Sequence, residues 1–147
     1  MTAARQILIQ GMLFILVGLL WGLAVPHTPF PRLAVGAHVQ FEQSGMVFML
    51  VGLVLLTLPH RVGSKSLVVM LITIGLTWLM ALSEAANAWW GTIQMLPIAA
   101  HEAGATGGTP WQEAVIKLTH ISAGLALIVS FVLLIIGFVK KPAANAS

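Results

Sequence analysis

Four apolar runs, each close to twenty residues long and divided by short polar or proline-rich stretches, dominate this chain of 147 residues. They are Ile7 to Val25, Ala37 to Leu58, Ser66 to about Ala88, and about Ala114 to Val139. About 20 residues rising roughly 1.5 Å each match the hydrocarbon thickness of a bilayer, where backbone groups find no water and must bond one another. No run alternates with period two, so helices rather than strands are expected. The predicted fold class is all-α: a four-transmembrane-helix bundle in a single membrane domain over residues 1–147, expected to form a homo-oligomer.

Composition points the same way. Only 7% of residues are charged, 59% are hydrophobic and the mean hydropathy is +0.98, whereas a soluble domain carries about 25% charged residues. Ordinary water-soluble enzymes and disordered regulators are excluded. The seven Lys and Arg outnumber the four acidic residues but are scattered, so no nucleic acid partner is expected. The absence of Cys removes disulfides and thiolate ligands, leaving His or carboxylate for any metal.

The first run follows a lone Arg5, exceeds a signal-peptide core and lacks a small-x-small site before Pro26, so it reads as a retained helix. The separators are PHTPFPR (26–32), PHRVGSK (59–65) and a flexible HEAGATGGTP (101–110). Arg5, Arg61, Lys65, Lys140 and Lys141 fall on the side of the termini and Arg32 and Lys117 on the other, which predicts both termini in the cytoplasm. The closing PAANAS reads as a frayed tail. Gly11, Gly18 and Gly22 share a face of the first span, and Gly45 and Gly52 one of the second; both suit close helix approach within a protomer or between copies.

Ionisable groups inside spans are the informative residues, because hydrocarbon tolerates them chiefly where a partner or a site exists. In the second span His38, Glu42, Gly45, Met49 and Gly52 form one stripe. His38 with Glu42 one turn on can ligate a metal or haem beside a carboxylate, or can bond a neighbouring helix. In the third, Thr73, Thr77, Met80, Glu84, Asn87 and Gly91 form a stripe in which Glu84 can donate a proton, or can join Asn87 as interhelical glue. In the fourth, Glu113, Lys117, His120 and Gly124 share a face; Glu113 and Lys117 suit an ion pair, and His120 a ligand, a base or a packing group. Trp21 and Trp111 read as interfacial anchors, and Trp89 and Trp90 as anchors or walls of an aromatic pocket.

The segment AVGAHVQFEQSGMVFMLVGLV, followed by SEAANAWWGTIQMLPIAAHEAGATGGTPWQEAVIKLTHISAGLALIV, resembles the hydroxylaminobenzene mutases, four-helix bacterial membrane proteins. The likeness runs from about Arg32 to Gly137. Its most specific parts are Ala37-His38 with Ser44-Gly45-Met46, and the MLPIAA and GTPWQEA runs. That family is in turn similar to the styrene oxide isomerases, which bind haem b between protomers of a trimer. The resemblance implies His38 as the axial iron ligand and Asn87 as a residue holding the substrate oxygen. Two positions depart from the isomerase pattern: Ser44 stands where it has Asn, and Gly91 where it has a catalytic Tyr.

The expected activity is therefore a haem-dependent rearrangement of N-arylhydroxylamines to 2-aminophenols in the bacterial inner membrane, with ferric iron as Lewis acid. The expected partners are a small aromatic substrate, the lipid bilayer and two further copies of the chain. Asn87 and Glu84 are the catalytic candidates, His38, Glu42 and Ser44 the cofactor-binding ones with His38 on the metal, and Trp89, Trp90 and His120 the substrate-binding ones. The competing readings are an epoxide isomerase, a haem-binding subunit with His38 and His120 on both sides of iron, and a scaffold or transporter-like protein without cofactor.

Overall fold

The computed structural model describes residues 2–140; Met1, Lys141 and the PAANAS tail lie outside the described residues. Five helices follow one another: α1 (Ala3–Ala24), α2 (Pro31–Thr57), α3 (Ser64–Trp90), the short α4 (Pro97–Glu102) and α5 (Pro110–Val139), with a 3-10 turn at Val25–His27. The four long ones are apolar enough to cross a membrane, as the four runs anticipated. Each begins before its apolar run, and in α2 and α5 proline at the first helical position starts the helix ahead of the hydrocarbon-like segment. Pro97 starts α4 in the same way inside a stretch that hydropathy leaves blank.

α1 and α2 form one tight pair and α3 and α5 another, with α2 packed on α3. Glycine sets the first pairing. A Cβ on Gly45 would stand 2.5 Å from Ile15 and 2.8 Å from the Gly11 carbonyl, and one on Gly52 would meet the Leu8 backbone at 2.6 Å. Gly18 and Gly22 face Phe41, Glu42 and His38 in the same seam. These glycines thus serve packing within one chain.

Hydroxyl groups hold the second pair. Thr73 Oγ1 lies 2.7 Å from Ser130 Oγ, and Ser83 Oγ lies 2.8 Å from Thr119 Oγ1. Between the pairs sits an aromatic core in which Trp78 stacks on Phe14 at 3.9 Å and donates its indole N–H to Gln10 Oε1 at 2.8 Å. Trp78 is therefore a core residue.

α5 touches neither α1 nor α2 closely. A trough consequently runs between α2 and α5 over the floor of α3. Its far half, lined by Leu50, Val54, Phe131, Leu134 and Phe138 among others, is apolar and holds about 330 Å³. The near half carries the polar groups.

Candidate functional site

His38 lies in the seam between α1 and α2. Its Nδ1 is 2.8 Å from the Gly18 carbonyl oxygen. A carbonyl only accepts, so Nδ1 carries the proton and Nε2 keeps the lone pair that a metal needs. Gly22 leaves room for the ring, since a Cβ there would stand 3.1 Å from it. Glu42 Oε1 lies 3.6 Å from Nε2, and both side chains are partly exposed. Among the described residues no three His, Cys, Asp or Glu side chains gather to hold a bare metal ion. A haem iron, already held by its porphyrin, would need only one nitrogen donor from the protein, and His38 is the residue that could supply it.

Glu84 and His120 meet on the opposite side of α2. His120 Nε2 is 2.6 Å from Glu84 Oε1, and both side chains are about nine-tenths buried. His120 Nδ1 is 2.7 Å from the Ile116 carbonyl, so both ring nitrogens are engaged. Successive residues of a helix turn by roughly 100°, which sets Gln40 about 160° around α2 from His38. Gln40, Gln43, Gly36, Glu84, Leu96 and Ala99 accordingly line a cleft of about 270 Å³ under α4, on the side of α2 that His38 does not face. A single chain does not bring His38 and His120 to opposite faces of one iron.

Ser44 is buried and accepts a hydrogen bond from Gln40 Nε2 at 2.9 Å, in the trough rather than beside His38. Asn87 is wholly buried one turn beyond Glu84. Its Oδ1 accepts the Thr92 N–H at 2.8 Å, and its Nδ2 is a buried donor with no partner among the described residues. Trp89 and Trp90 diverge: Trp89 is half exposed against Trp21, and Trp90 packs edge-on to Trp111 at 5.0 Å. They do not wall one pocket together, and neither lines the cleft.

At Gly91 the backbone turns left-handed, with φ of 60°, and ends α3. The Phe30 ring occupies the space a side chain would take, 2.6 Å from an ideal Cβ.

Glu113 departs from the expected ion pair with Lys117. Its carboxylate is buried and accepts the backbone N–H groups of Ile93, Gln94 and Gly108 at 2.9, 3.1 and 3.1 Å. It clasps both ends of the segment that carries α4 onto the start of α5. Arg32 pairs instead with Glu102, Nε to Oε2 at 2.6 Å, joining α2 to α4 at the cleft mouth. Sequence reading missed Gln40 and Gln43. The available signal was two carboxamides within four residues of an apolar span.

The family model described as styrene oxide isomerase matches residues 3–139, including the first helix that the motif resemblance left out. Hydroxylaminobenzene mutase HabB of Ectopseudomonas oleovorans is 31% identical over 142 residues, 95% of this chain and 84% of that protein. Hydroxylaminobenzene mutase HabA of the same organism is 28% identical over 133 residues, 89% of this chain and 95% of that one. No solved structure matches.

Proposed function

Because this chain belongs to the styrene oxide isomerase family, we propose that it is a multi-pass isomerase that rearranges N-arylhydroxylamines to 2-aminophenols. The observation that carries the substrate class is the likeness to two hydroxylaminobenzene mutases along nearly the whole chain. Gly91 favours a hydroxylamine over an epoxide, since Phe30 there presents no hydroxyl where the isomerase pattern has tyrosine.

The reaction is an internal transfer. The N–O bond breaks, that oxygen bonds the ring carbon ortho to nitrogen, the proton on that carbon leaves, and nitrogen gains one. No reductant or second substrate is consumed. Haem b, when bound through His38, would supply a Lewis-acidic iron that stabilises negative charge developing on the oxygen. His38 and Gly18 keep the ligating tautomer, and Glu42 flanks the imidazole.

Since one chain holds His38 and Glu84 on opposite sides of α2, the reacting centre combines two copies, which the resemblance to the styrene oxide isomerases would place in a homotrimer: His38 and Glu42 from one, Ser44, Glu84 and His120 from the next. Glu84 takes the ring proton while His120 fixes the carboxylate, and the pair returns a proton to nitrogen. The unpartnered Nδ2 of Asn87 supports a role in orienting the substrate oxygen. Trp89, half exposed, offers a ring face to an arene arriving from lipid, whereas Trp90 is closed off by Trp111. Arg5, Arg61, Lys65 and Lys140 at one end of the bundle favour that end, with both termini, facing the cytoplasm of a bacterial inner membrane.

The test is phenylhydroxylamine labelled with heavy oxygen, supplied to membranes containing the protein. The expected product is 2-aminophenol that retains the label. Label exchanged with water, or no conversion, would overturn the reading.

A further inference from the structure

The geometry points to Gln40 and Gln43 as the residues that select a substrate by its hydrogen-bond donors, making the cleft beside Glu84 a receptor for the N–H and O–H groups of an arylhydroxylamine. The inference rests on the arylhydroxylamine reading above and goes further by assigning the groups that recognise the head of the molecule.

Both carboxamides sit where lipid offers them nothing. Gln40 is the tenth residue of a 27-residue helix, roughly 15 Å from its start, and Gln43 is exposed one turn further on. A carboxamide at that depth needs a partner, because hydrocarbon neither donates nor accepts. Gln40 has one partner inside the chain: Nε2 donates to Ser44 Oγ at 2.9 Å. That bond turns Oε1 outward as an acceptor with no hydrogen bond among the described residues. Glu84 is arranged likewise, Oε1 being held by His120 and Oε2 making no hydrogen bond among the described residues. Gln43, on the same rim, makes no side-chain hydrogen bond among the described residues.

The cleft thus presents at least two oxygen acceptors toward one volume of about 270 Å³, at the small end of ligand sites and suited to a single ring. An arylhydroxylamine brings two donors, N–H and O–H; an epoxide brings none. The cleft shares Gln40 and Gln43 with the middle of the trough, which shares Phe131 with the apolar far half. An arene entering laterally therefore has an apolar path that ends at the acceptors.

The test compares two non-reacting competitors of phenylhydroxylamine turnover on the full-length protein in nanodiscs. One is 2,6-dimethylphenylhydroxylamine, whose ortho carbons are blocked, and the other its O-methyl ether, which lacks the O–H donor. Wild-type protein should bind the free hydroxylamine about tenfold more tightly, the scale of one hydrogen bond to a group that is otherwise unpaired. Gln40→Met should shrink that preference to within about twofold and raise KM with kcat little changed, as expected when a binding hydrogen bond is lost. Gln43→Met should weaken both competitors. A thermal melt and the size of the detergent-solubilised assembly accompany each variant.

Absence of preference in the wild type, or its persistence in both variants, overturns the inference even if phenylhydroxylamine is converted. Unchanged preference with a smaller assembly in Gln43→Met would assign the glutamines to contact between copies, and overturns it too. If either variant fails to fold, the wild-type comparison of the two competitors alone decides. Failure of the wild type to convert phenylhydroxylamine at all removes the mutase reading and this inference together.

Discussion

His38 and Gln40 stand two residues apart on α2 and serve opposite sides of it: His38 is bonded to Gly18 in the seam with α1, while Gln40 lines the cleft beside Glu84. The side of the chain able to hold a cofactor and the side able to handle a proton are thereby separated by the width of a helix. If both act on one substrate, they do so across a contact between copies.

Mixing of inactive variants follows from this. His38→Ala and Glu84→Gln are each expected to be inactive alone, yet co-expression should restore activity. Random mixing in a ring of copies sets an intact His38 beside an intact Glu84 at about a quarter of the contacts. Turnover per total protein near that fraction of wild type is the expected reading. No recovery in mixed assemblies isolated with two different tags would place the whole centre in one chain.

Glu84 should govern proton transfer rather than packing. Gln in its place keeps the volume and can still bond His120, but cannot take up a proton. Glu84→Gln is expected to lower kcat by about 10² or more, the usual worth of a positioned acid or base, with an unchanged melt. A normal rate would make the Glu84–His120 pair an architectural one.

The four spans were legible because each writes its own requirement into about twenty consecutive residues. The pairing of helices was half legible. Gly11, Gly18, Gly22, Gly45 and Gly52 announced a close seam, but not that α1 and α2 of the same chain would consume all of it. The site was less so. Glu84 and His120 stood out as ionisable groups in apolar runs, whereas their meeting depends on the antiparallel register of α3 and α5, which no local pattern encodes. Glu113 misled for the same reason: its i+4 neighbour Lys117 is local, while the three N–H groups it accepts lie up to twenty residues away.

Glu113 should therefore matter for folding more than a local ion pair with Lys117 would. Removing the carboxylate leaves three N–H groups in the segment from Thr92 to Pro110 without their acceptor. Glu113→Ala is expected to destabilise by about 2–3 kcal/mol, the scale of charged hydrogen bonds lost at a buried site. Proteolysis should show cleavage within 92–110 before any other place. Arg32→Ala, which breaks an exposed pair, should change the melt far less, by about 0–1 kcal/mol. Equal effects of the two would deny the clasp.

The glycine seam gives a steric contrast. An added Cβ at Gly45 meets Ile15 and the Gly11 carbonyl, so neither a rotamer change nor a small shift relieves it; one at Gly75 meets nothing within 4 Å among the described residues. Gly45→Val should separate α1 from α2 and abolish recovery of folded protein, whereas Gly75→Ala should be neutral within about 0.5 kcal/mol. Because His38 rests on Gly22 in that same seam, milder Gly45→Ala should also disturb the imidazole. Equal yields of the Gly45 and Gly75 variants would show that the helices have room to spare.

Haem binding can be read without turnover. Protein purified from haem-supplied cells should show a strong visible absorption that His38→Ala loses, since the variant lacks the imidazole nitrogen that Gly18 orients. Exogenous imidazole should then return the band, because the small ring fits the volume the side chain vacated and restores the same donor. His120→Ala should leave the band in place, its ring nitrogens being committed to Glu84 and Ile116. Loss of the band in His120→Ala with retention in His38→Ala would move the iron to the other side of α2, and with it the division of labour between copies.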